Sequence, residues 1–339
     1  MTIAMIISKE RLEQEHAMLN RLVVGLLDDG NQVIRVVPKS ETGEFSHDEH
    51  TVSFSKRVEV SMPVSRMLRK KRREEVVEIF QKNNVTTAVG FGKDAMQLAL
   101  DVAKDIKLQV MCEIVLMKDV KKVKRNSQVW RWLAPTPTIE HEIAKKVGDD
   151  RVALVPFGVT DHNTTEKNEN ANHKCIVILN ASDETKNMFK ILEAFQPLQN
   201  IHLFLEMTGE KEQKIWKQLN QLEMHNRVTC LRDVGTLRQL IVHADLVILP
   251  SKSMPIRSVF LEAMLCGVPV LATPIPGFDM LIEQESAIIV NGSWKNSIAS
   301  LLDDPTIGTR IGEQGSSLIS LKYGSSVQIA AFEAAVTLI

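Results

Sequence analysis

Short apolar runs rich in β-branched residues alternate with amphipathic stretches along nearly the whole chain. TIAMIIS opens it as a buried strand, and Leu12, Met18, Leu19, Leu22 and Leu26 then recur at helical spacing, predicting a helix from Glu10 to Leu27. Asp28, Asp29, Gly30 and Asn31 stop that helix before the strand QVIRVV. A polar stretch from Pro38 to Ser55 reads as a loop or hairpin region. The pattern continues with helix Ser65–Lys82, strand VTTAVGF, helix Asp94–Lys104, strand LQVMCEIV, helix Thr138–Val147 and strand VALVPFGV. Composition turns polar over Thr160–His173, which marks a linker. Beyond it the strands KCIVILN, IHLFLEM, RVTCL, DLVILP, PVLAT and AIIVNG are again separated by helical patterns. Strands this apolar with helices between them predict parallel, doubly wound α/β sheets. Two such series predict two Rossmann-like domains facing a cleft, at 1–158 and 159–324, with ligands at the carboxyl ends of the strands.

The length of 339 residues agrees with about two domains of ~150 residues. With 44% hydrophobic and 24% charged residues the chain is an ordinary globular one, which excludes a disordered or disulfide-stapled class. A formal net charge of -1 and 5% aromatics argue against nucleic acid as a partner. Cys112, Cys175, Cys230 and Cys266 lie far apart, each in or beside an apolar stretch, so they read as buried reduced thiols and not as a metal site. The N-terminus reads as a first strand, and no run reaches the ~20 apolar residues that span a bilayer. The expectation is a cytoplasmic chain.

The most informative run is LPSKSMPIRSVFLEAMLCGVPVLATPIPGFDMLIEQESAIIVNG, Leu249 to Gly292. Strand DLVILP ends in a Pro-Ser turn, and a loop then opens a helix near Ser258–Cys266 whose first amides suit a phosphate oxygen. Glu262, about one turn in, is a carboxylate able to accept hydrogen bonds from a vicinal diol such as a ribose. Alone, it is more simply a support for its own helix end. The run as a whole, however, resembles the donor-site signature of GT-B glycosyltransferases, in particular the retaining family four, glycosyl transferases group 1. The resemblance is carried by Pro250–Ser251, Leu261–Met264, Gly267–Val270 and Gly277, and it extends to Lys186–Phe195, Asp233–Ser251 and Val155–Asp161.

The resemblance implies a sugar transferred from a nucleoside diphosphate sugar to a hydroxyl acceptor with retention. The donor would lie on the second domain, with Glu262 on the ribose, Lys186 on the diphosphate, and Ser251 and Ser258 beside it. The acceptor would lie on the first. The 325–339 segment would form a helix, Ser325–Leu338, packing back towards the first domain as in relatives. No cofactor is implied, since the nucleotide sugar enters as substrate, and no metal. Several positions depart from the family pattern. The first of its paired glutamates falls at Met254, the Gly of its Phe-Gly pair at Arg257, and the Arg preceding the diphosphate Lys at Ala181. SKERLEQEH replaces the Gly-rich turn after the first strand, and Glu113 stands where a His is expected near the transferred sugar. Two readings stay open. In one, an active transferase uses Arg257 on the diphosphate in place of the missing Arg. In the other, an inert relative keeps the fold for binding or assembly.

A third reading rests on Gly90 and Gly92 in VGFGKDA, a G-x-G-x-x-A turn between strand and helix with Glu113 about twenty residues on. That suits an NAD-dependent enzyme, although the turn lies well past the first strand; in the transferase reading it borders the acceptor. Arg66, Arg69, Lys70, Lys71, Arg72 and Arg73 form one basic cluster, and Lys118, Lys121, Lys122, Lys124 and Arg125 a second, followed by Trp130, Trp132 and Leu133. Both read as solvated faces or, more specifically, as a surface for anionic lipid. His47, Asp48, Glu49 and His50 read as a solvated loop without further metal partners.

Overall fold

The computed structural model describes residues 1–39, 55–62, 68–125, 128–160, 173–207 and 211–337. His47, Asp48, Glu49, His50, Arg66 and nearly all of the polar stretch at 160–173 lie outside the described residues. The chain divides into two compact units, one made of Met1–Gly158 with Ser325–Ile339 and the other of Val159–Gly324.

The first unit holds β1 (Thr2–Ile7), α1 (Lys9–Asp28), β2 (Gln32–Pro38), β3 (Lys56–Val60), α2 (Arg69–Lys82), β4 (Thr87–Phe91), α3 (Lys93–Val102), β5 (Gln109–Glu113), β6 (Arg131–Ala134), α4 (Pro137–Val147) and β7 (Val152–Leu154). Among the described residues its seven strands lie in the order β3-β2-β1-β4-β5-β6-β7 and all neighbours are parallel. The second unit holds β8 (Lys174–Ile178), α5 (Thr185–Phe195), β9 (Ile201–Glu206), α6 (Glu212–Gln221), β10 (Val228–Leu231), α7 (Val234–Ile241), β11 (Leu246–Leu249), α8 (Ser258–Leu265), β12 (Val270–Ala272), β13 (Ile288–Ile289), α9 (Trp294–Asp303) and α10 (Pro305–Lys322). Its strand order is β10-β9-β8-β11-β12-β13, again parallel throughout. In each sheet the order reverses beside the first strand, between β1 and β4 and between β8 and β11. Such a switch point opens a crevice past the carboxyl ends of the strands.

Local chemistry sets the helix ends. Ser8 caps α1, Asp233 caps α7 and Ser293 caps α9, each accepting from a backbone N–H of the first turn. Pro137 and Pro305 open α4 and α10, where a missing N–H costs nothing. The last helix, α11 (Ser325–Thr337), packs on α1 of the first unit. Arg131 donates to the Ala335 carbonyl at 2.6 Å, and Asn31 donates to Glu333 at 3.1 Å.

Two strands escape the periodicity argument. β3 reads KRVEV and lies at the sheet edge, where charge blocks further pairing. β6 carries Trp132, buried, so this residue belongs to the sheet and not to a basic surface cluster. The cysteines also need correction. Cys112 is buried, while Cys175, Cys230 and Cys266 are only half-buried. Among the described residues, no helix is long and apolar enough to cross a membrane.

α10 runs close over the turn that ends α8. A methyl on Gly312 would overlap the Gly267 carbonyl oxygen and lie 2.9 Å from its carbon, and that backbone cannot yield cheaply. Gly312→Ala should therefore destabilise by about 1–3 kcal/mol, a melting temperature lower by several degrees. Gly292→Ala, which meets nothing within 4 Å, serves as the neutral control in the same thermal denaturation.

Candidate functional site

In the second unit the carboxyl ends of β8, β9 and β11 converge on a buried polar cluster. β9 ends in Glu206, 2% exposed, and the loop before α8 ends in Arg257, 1% exposed. Arg257 Nη1 donates to both Glu206 oxygens, at 2.7 and 2.8 Å. Glu206 also accepts from the Asn180 N–H at 2.9 Å through Oε2, and its carbonyl accepts from the Ala181 N–H at 3.0 Å. Asn180 sits at φ 51, a left-handed conformation that asparagine tolerates well. This chain of contacts brings the Arg257 guanidinium alongside residues 180 and 181. Its Nε and Nη2 are buried without a hydrogen-bond partner among the described residues, as is Thr273 Oγ1 at the end of β12. Unpaired N–H groups in a dry site are costly unless something accepts from them.

A second cluster surrounds α8. Glu262 is fully buried, and Arg238 of α7 donates from Nη1 to its Oε1 at 2.6 Å. Arg238 Nη2 donates to Ser258 Oγ at 3.0 Å, so one guanidinium ties together both helix residues expected at the site. Ser251, 4% exposed, accepts from the Ser253 N–H at 3.3 Å and shapes the turn after β11. Met254 is fully buried. Lys186 is exposed in the first turn of α5, and its neighbour Asn187 donates to the Pro250 carbonyl at 2.8 Å, tying α5 to the end of β11. The structure thus gathers Lys186, Ser251, Arg257, Ser258 and Glu262 around the ends of β8 and β11.

The first unit has its own strand-end cluster. Arg11, in the first turn of α1, donates from Nη2 to Glu113 Oε1 at 3.0 Å and lies 3.6 Å from Glu15 Oε1. Its guanidinium also sits over the Phe157 ring, 5.0 Å from the centroid. Glu113 Oε2 is buried with no hydrogen-bond partner among the described residues. Burial pushes the Glu113 carboxyl above its ordinary value; Arg11 pulls it down and Glu15 pushes it up.

Gly90 and Gly92 have a packing reason. A Cβ on Gly90 would lie 2.8 Å from the backbone of Met96 in α3. Gly92, at φ 89, faces Ser8 and the Arg11 side chain, whose Cγ would be 2.9 Å from a Cβ there. That face is filled by protein, and Glu113 is engaged by Arg11, so the dinucleotide reading does not fit this turn. In the basic cluster Arg69, Lys70 and Lys71 are exposed. Arg72 must be removed from it: it is 7% exposed and donates inward to the Ser61 carbonyl at 3.4 Å. Arg73 pairs with Asp105 at 2.7 Å. Among the described residues, no group of three His, Cys, Asp or Glu could hold a metal ion.

Sequence reasoning missed Glu206, Arg238 and the role of Arg11. Glu206 did carry a signal, since a carboxylate closing the apolar run IHLFLE must meet a buried partner. Arg11 and Glu15 share the i,i+4 spacing of a pair. Nothing in the sequence around Arg238 points to Glu262.

Residues 160–317 match the family model described as Glycosyl transferases group 1. A D-inositol 3-phosphate glycosyltransferase of Pseudarthrobacter chlorophenolicus is 33% identical over 114 residues, 32% of this chain and 27% of that protein, so the chain spans about a quarter of that curated relative's length. Anabaena Alr3699/HepE, solved in complex with UDP-glucose, has a similar fold with a TM-score of 0.81 at 13% identity, over 100% of both chains. A sucrose-phosphate synthase from Thermosynechococcus elongatus gives 0.78 at 16% identity, over 99% of this chain and 98% of that one.

The Glu206–Arg257 pair makes a stability prediction. Glu206→Met leaves a buried guanidinium unpaired and should cost about 3–5 kcal/mol. Adding Arg257→Met should recover much of that loss. A urea double-mutant cycle measures the coupling, and additive losses would mean that the pair carries no buried interaction.

Proposed function

We propose, taking as premise that the chain belongs to the group 1 glycosyl transferases with the GT-B fold, that it transfers a sugar from a nucleoside diphosphate sugar to a hydroxyl acceptor with retention. The observation that carries this reading is the Glu262 carboxylate of α8, fixed by Arg238 of α7 beside the end of β11, where a parallel sheet of this order binds its ligand. In this reading Glu262 receives the ribose hydroxyls, while Ser251 and Ser258 line the turn. Lys186 brings a compact positive charge to the diphosphate from the start of α5. Arg257 stands in for the arginine that relatives carry at position 181, since its partner Glu206 is bonded to the backbone of residues 180 and 181. Positive groups facing the leaving diphosphate lower the barrier by stabilising charge that develops as the bond to the sugar breaks. The nucleotide sugar is substrate, and the reading requires neither a resident cofactor nor a metal. The acceptor side falls to the first unit, where Glu113 ends β5, while Gly90 and Gly92 pack against Met96, Ser8 and Arg11 and offer no space of their own.

Two observations favour the alternative of an inert, binding-only relative. Glu206 already matches the charge of Arg257, and Met254 offers no hydrogen bond to a sugar. Nucleotide binding tests the donor site, and turnover separates the active from the inert reading. UDP, GDP and ADP at millimolar concentration should raise the melting temperature for at least one base, since saturation at 100 times Kd adds about 2.7 kcal/mol. Glu262→Ala should abolish that shift and Arg257→Gly should weaken it. No shift with any nucleotide would sink the donor reading, and a shift without nucleotide release from the matching sugar, with water or an inositol phosphate as acceptor, would favour the inert one.

The exposed Arg69, Lys70 and Lys71, with Leu68 exposed beside them, support a peripheral contact with anionic lipid. Vesicles with anionic lipid should co-sediment the protein and release it at high salt, and vesicles lacking that lipid should not bind. Equal sedimentation with both would remove the proposal.

A further inference from the structure

Glu262 is the carboxylate that the donor reading places on the ribose, yet no part of its side chain reaches solvent. Ser258, one turn earlier on the same helix, is equally closed. Every residue of α8 from Ser258 to Met264 is buried, and Phe260 stacks on Phe278 with ring centroids 5.4 Å apart. α8 cannot roll its carboxylate outward without breaking that packing.

One side chain from another element lies against both groups. α7 is held by its Asp233 cap, which accepts from the Thr236 N–H at 2.6 Å, and by buried Leu237 and Ile241. Arg238 leaves this helix and reaches across to α8. Its Nη1 donates to Glu262 Oε1 at 2.6 Å, and its Nη2 donates to Ser258 Oγ at 3.0 Å. Of these three residues only Arg238 keeps any exposure, 11% of its side chain. The guanidinium is thus the member of the cluster that still meets water, and it sits on a long stem with many rotamers.

We propose that Arg238 is a latch on the donor site. It closes over Glu262 and Ser258 while no nucleotide is bound, and it swings away before the ribose hydroxyls meet the carboxylate. This rests on the donor reading of Glu262 and adds the step by which a buried carboxylate becomes available. No covalent bond changes. Glu262 exchanges hydrogen bonds from a guanidinium for hydrogen bonds from a vicinal diol, and the released guanidinium regains its water. The carboxylate keeps donors throughout, which matters because a buried carboxylate without any is costly. Only the open state binds ribose, so the affinity for a nucleotide is lowered by the fraction of chains that are open. A nucleotide without ribose hydroxyls makes no demand on Glu262 and is indifferent to the latch.

The experiment is titration calorimetry on the full chain with UDP, GDP and ADP, and with the dideoxyribose form of whichever base binds. Arg238→Gln removes the charge that holds the latch shut. It should tighten the ribonucleotide about 10-fold, as where about a tenth of the chains are open, and leave the dideoxy form within about twofold. The ratio of the two affinities should therefore widen, whereas general damage to the fold would weaken both ligands alike. Arg238→Lys keeps the charge without the two-point grip and should fall between wild type and Arg238→Gln. It carries the test if the glutamine variant lacks a cooperative thermal transition. Arg238→Gln combined with Glu262→Gln should show the same ratio as Glu262→Gln alone, since no carboxylate remains to be latched. An unchanged ratio in Arg238→Gln overturns the latch. So does a narrowed one, which would make the guanidinium a support that holds Glu262 ready for the ribose. A wild-type chain that binds nucleotide with a ratio that Glu262→Gln does not alter puts the ribose elsewhere, and overturns the latch while nucleotide binding stands. A wild-type chain that binds none of the three nucleotides sinks the donor reading itself.

Discussion

A guanidinium or carboxylate taken out of water alone costs several kcal/mol, and the strand ends of both sheets hold such groups in contact. In the second unit Arg257 meets Glu206 and Arg238 meets Glu262. In the first unit Arg11 lies between Glu15 and Glu113. A parallel sheet buried on both faces leaves mainly its strand ends for polar side chains, Arg35 within β2, which donates to Ser55, being an exception. Each pair therefore spans two or three elements, and together they set how the loops leave the sheet.

The geometry nearby follows from these pairs. Glu206 receives the Asn180 N–H, so the loop between β8 and α5 turns where the Arg257 guanidinium needs its partner. Asn187 reaches the Pro250 carbonyl and joins the same loop to the end of β11. Arg238 spans from α7 to both Ser258 and Glu262, fixing the first turn of α8. Gly92 is small so that Arg11 can pass from α1 towards β5. Arg257, Glu262 and Glu113 are each held by a partner from the same unit, which limits their motion.

All six apolar runs of the second unit are strands in the structure, because a strand buried on both faces needs nothing but a continuous apolar segment. β3 was illegible, since the edge position that favours Lys56, Arg57 and Glu59 also erases the apolar pattern. β6 was hidden by its four-residue length and by the lysines before it. Arg72 read as one more surface cation because a run of basic residues does not say which of its members faces Ser61. Glu262, Ser258 and Lys186 could be singled out from the motif around them, which fixes their place in the fold. Glu206 and Arg238 could not, since they come from other elements and gain meaning only from what they touch.

By itself, the sequence determined the α/β class, the repeated series of strands and the run at Leu249–Gly292 that carries the family resemblance. These depend on short-range periodicity and on local turn chemistry, which are written into neighbouring residues. Tertiary structure alone decided that Arg257 is matched by Glu206, that Glu262 is held by Arg238 and that Glu113 is anchored by Arg11. The partners stand 51, 24 and 102 positions apart in the chain. Only the folding of parallel strands side by side brings their ends, and so these charges, within a hydrogen bond of each other.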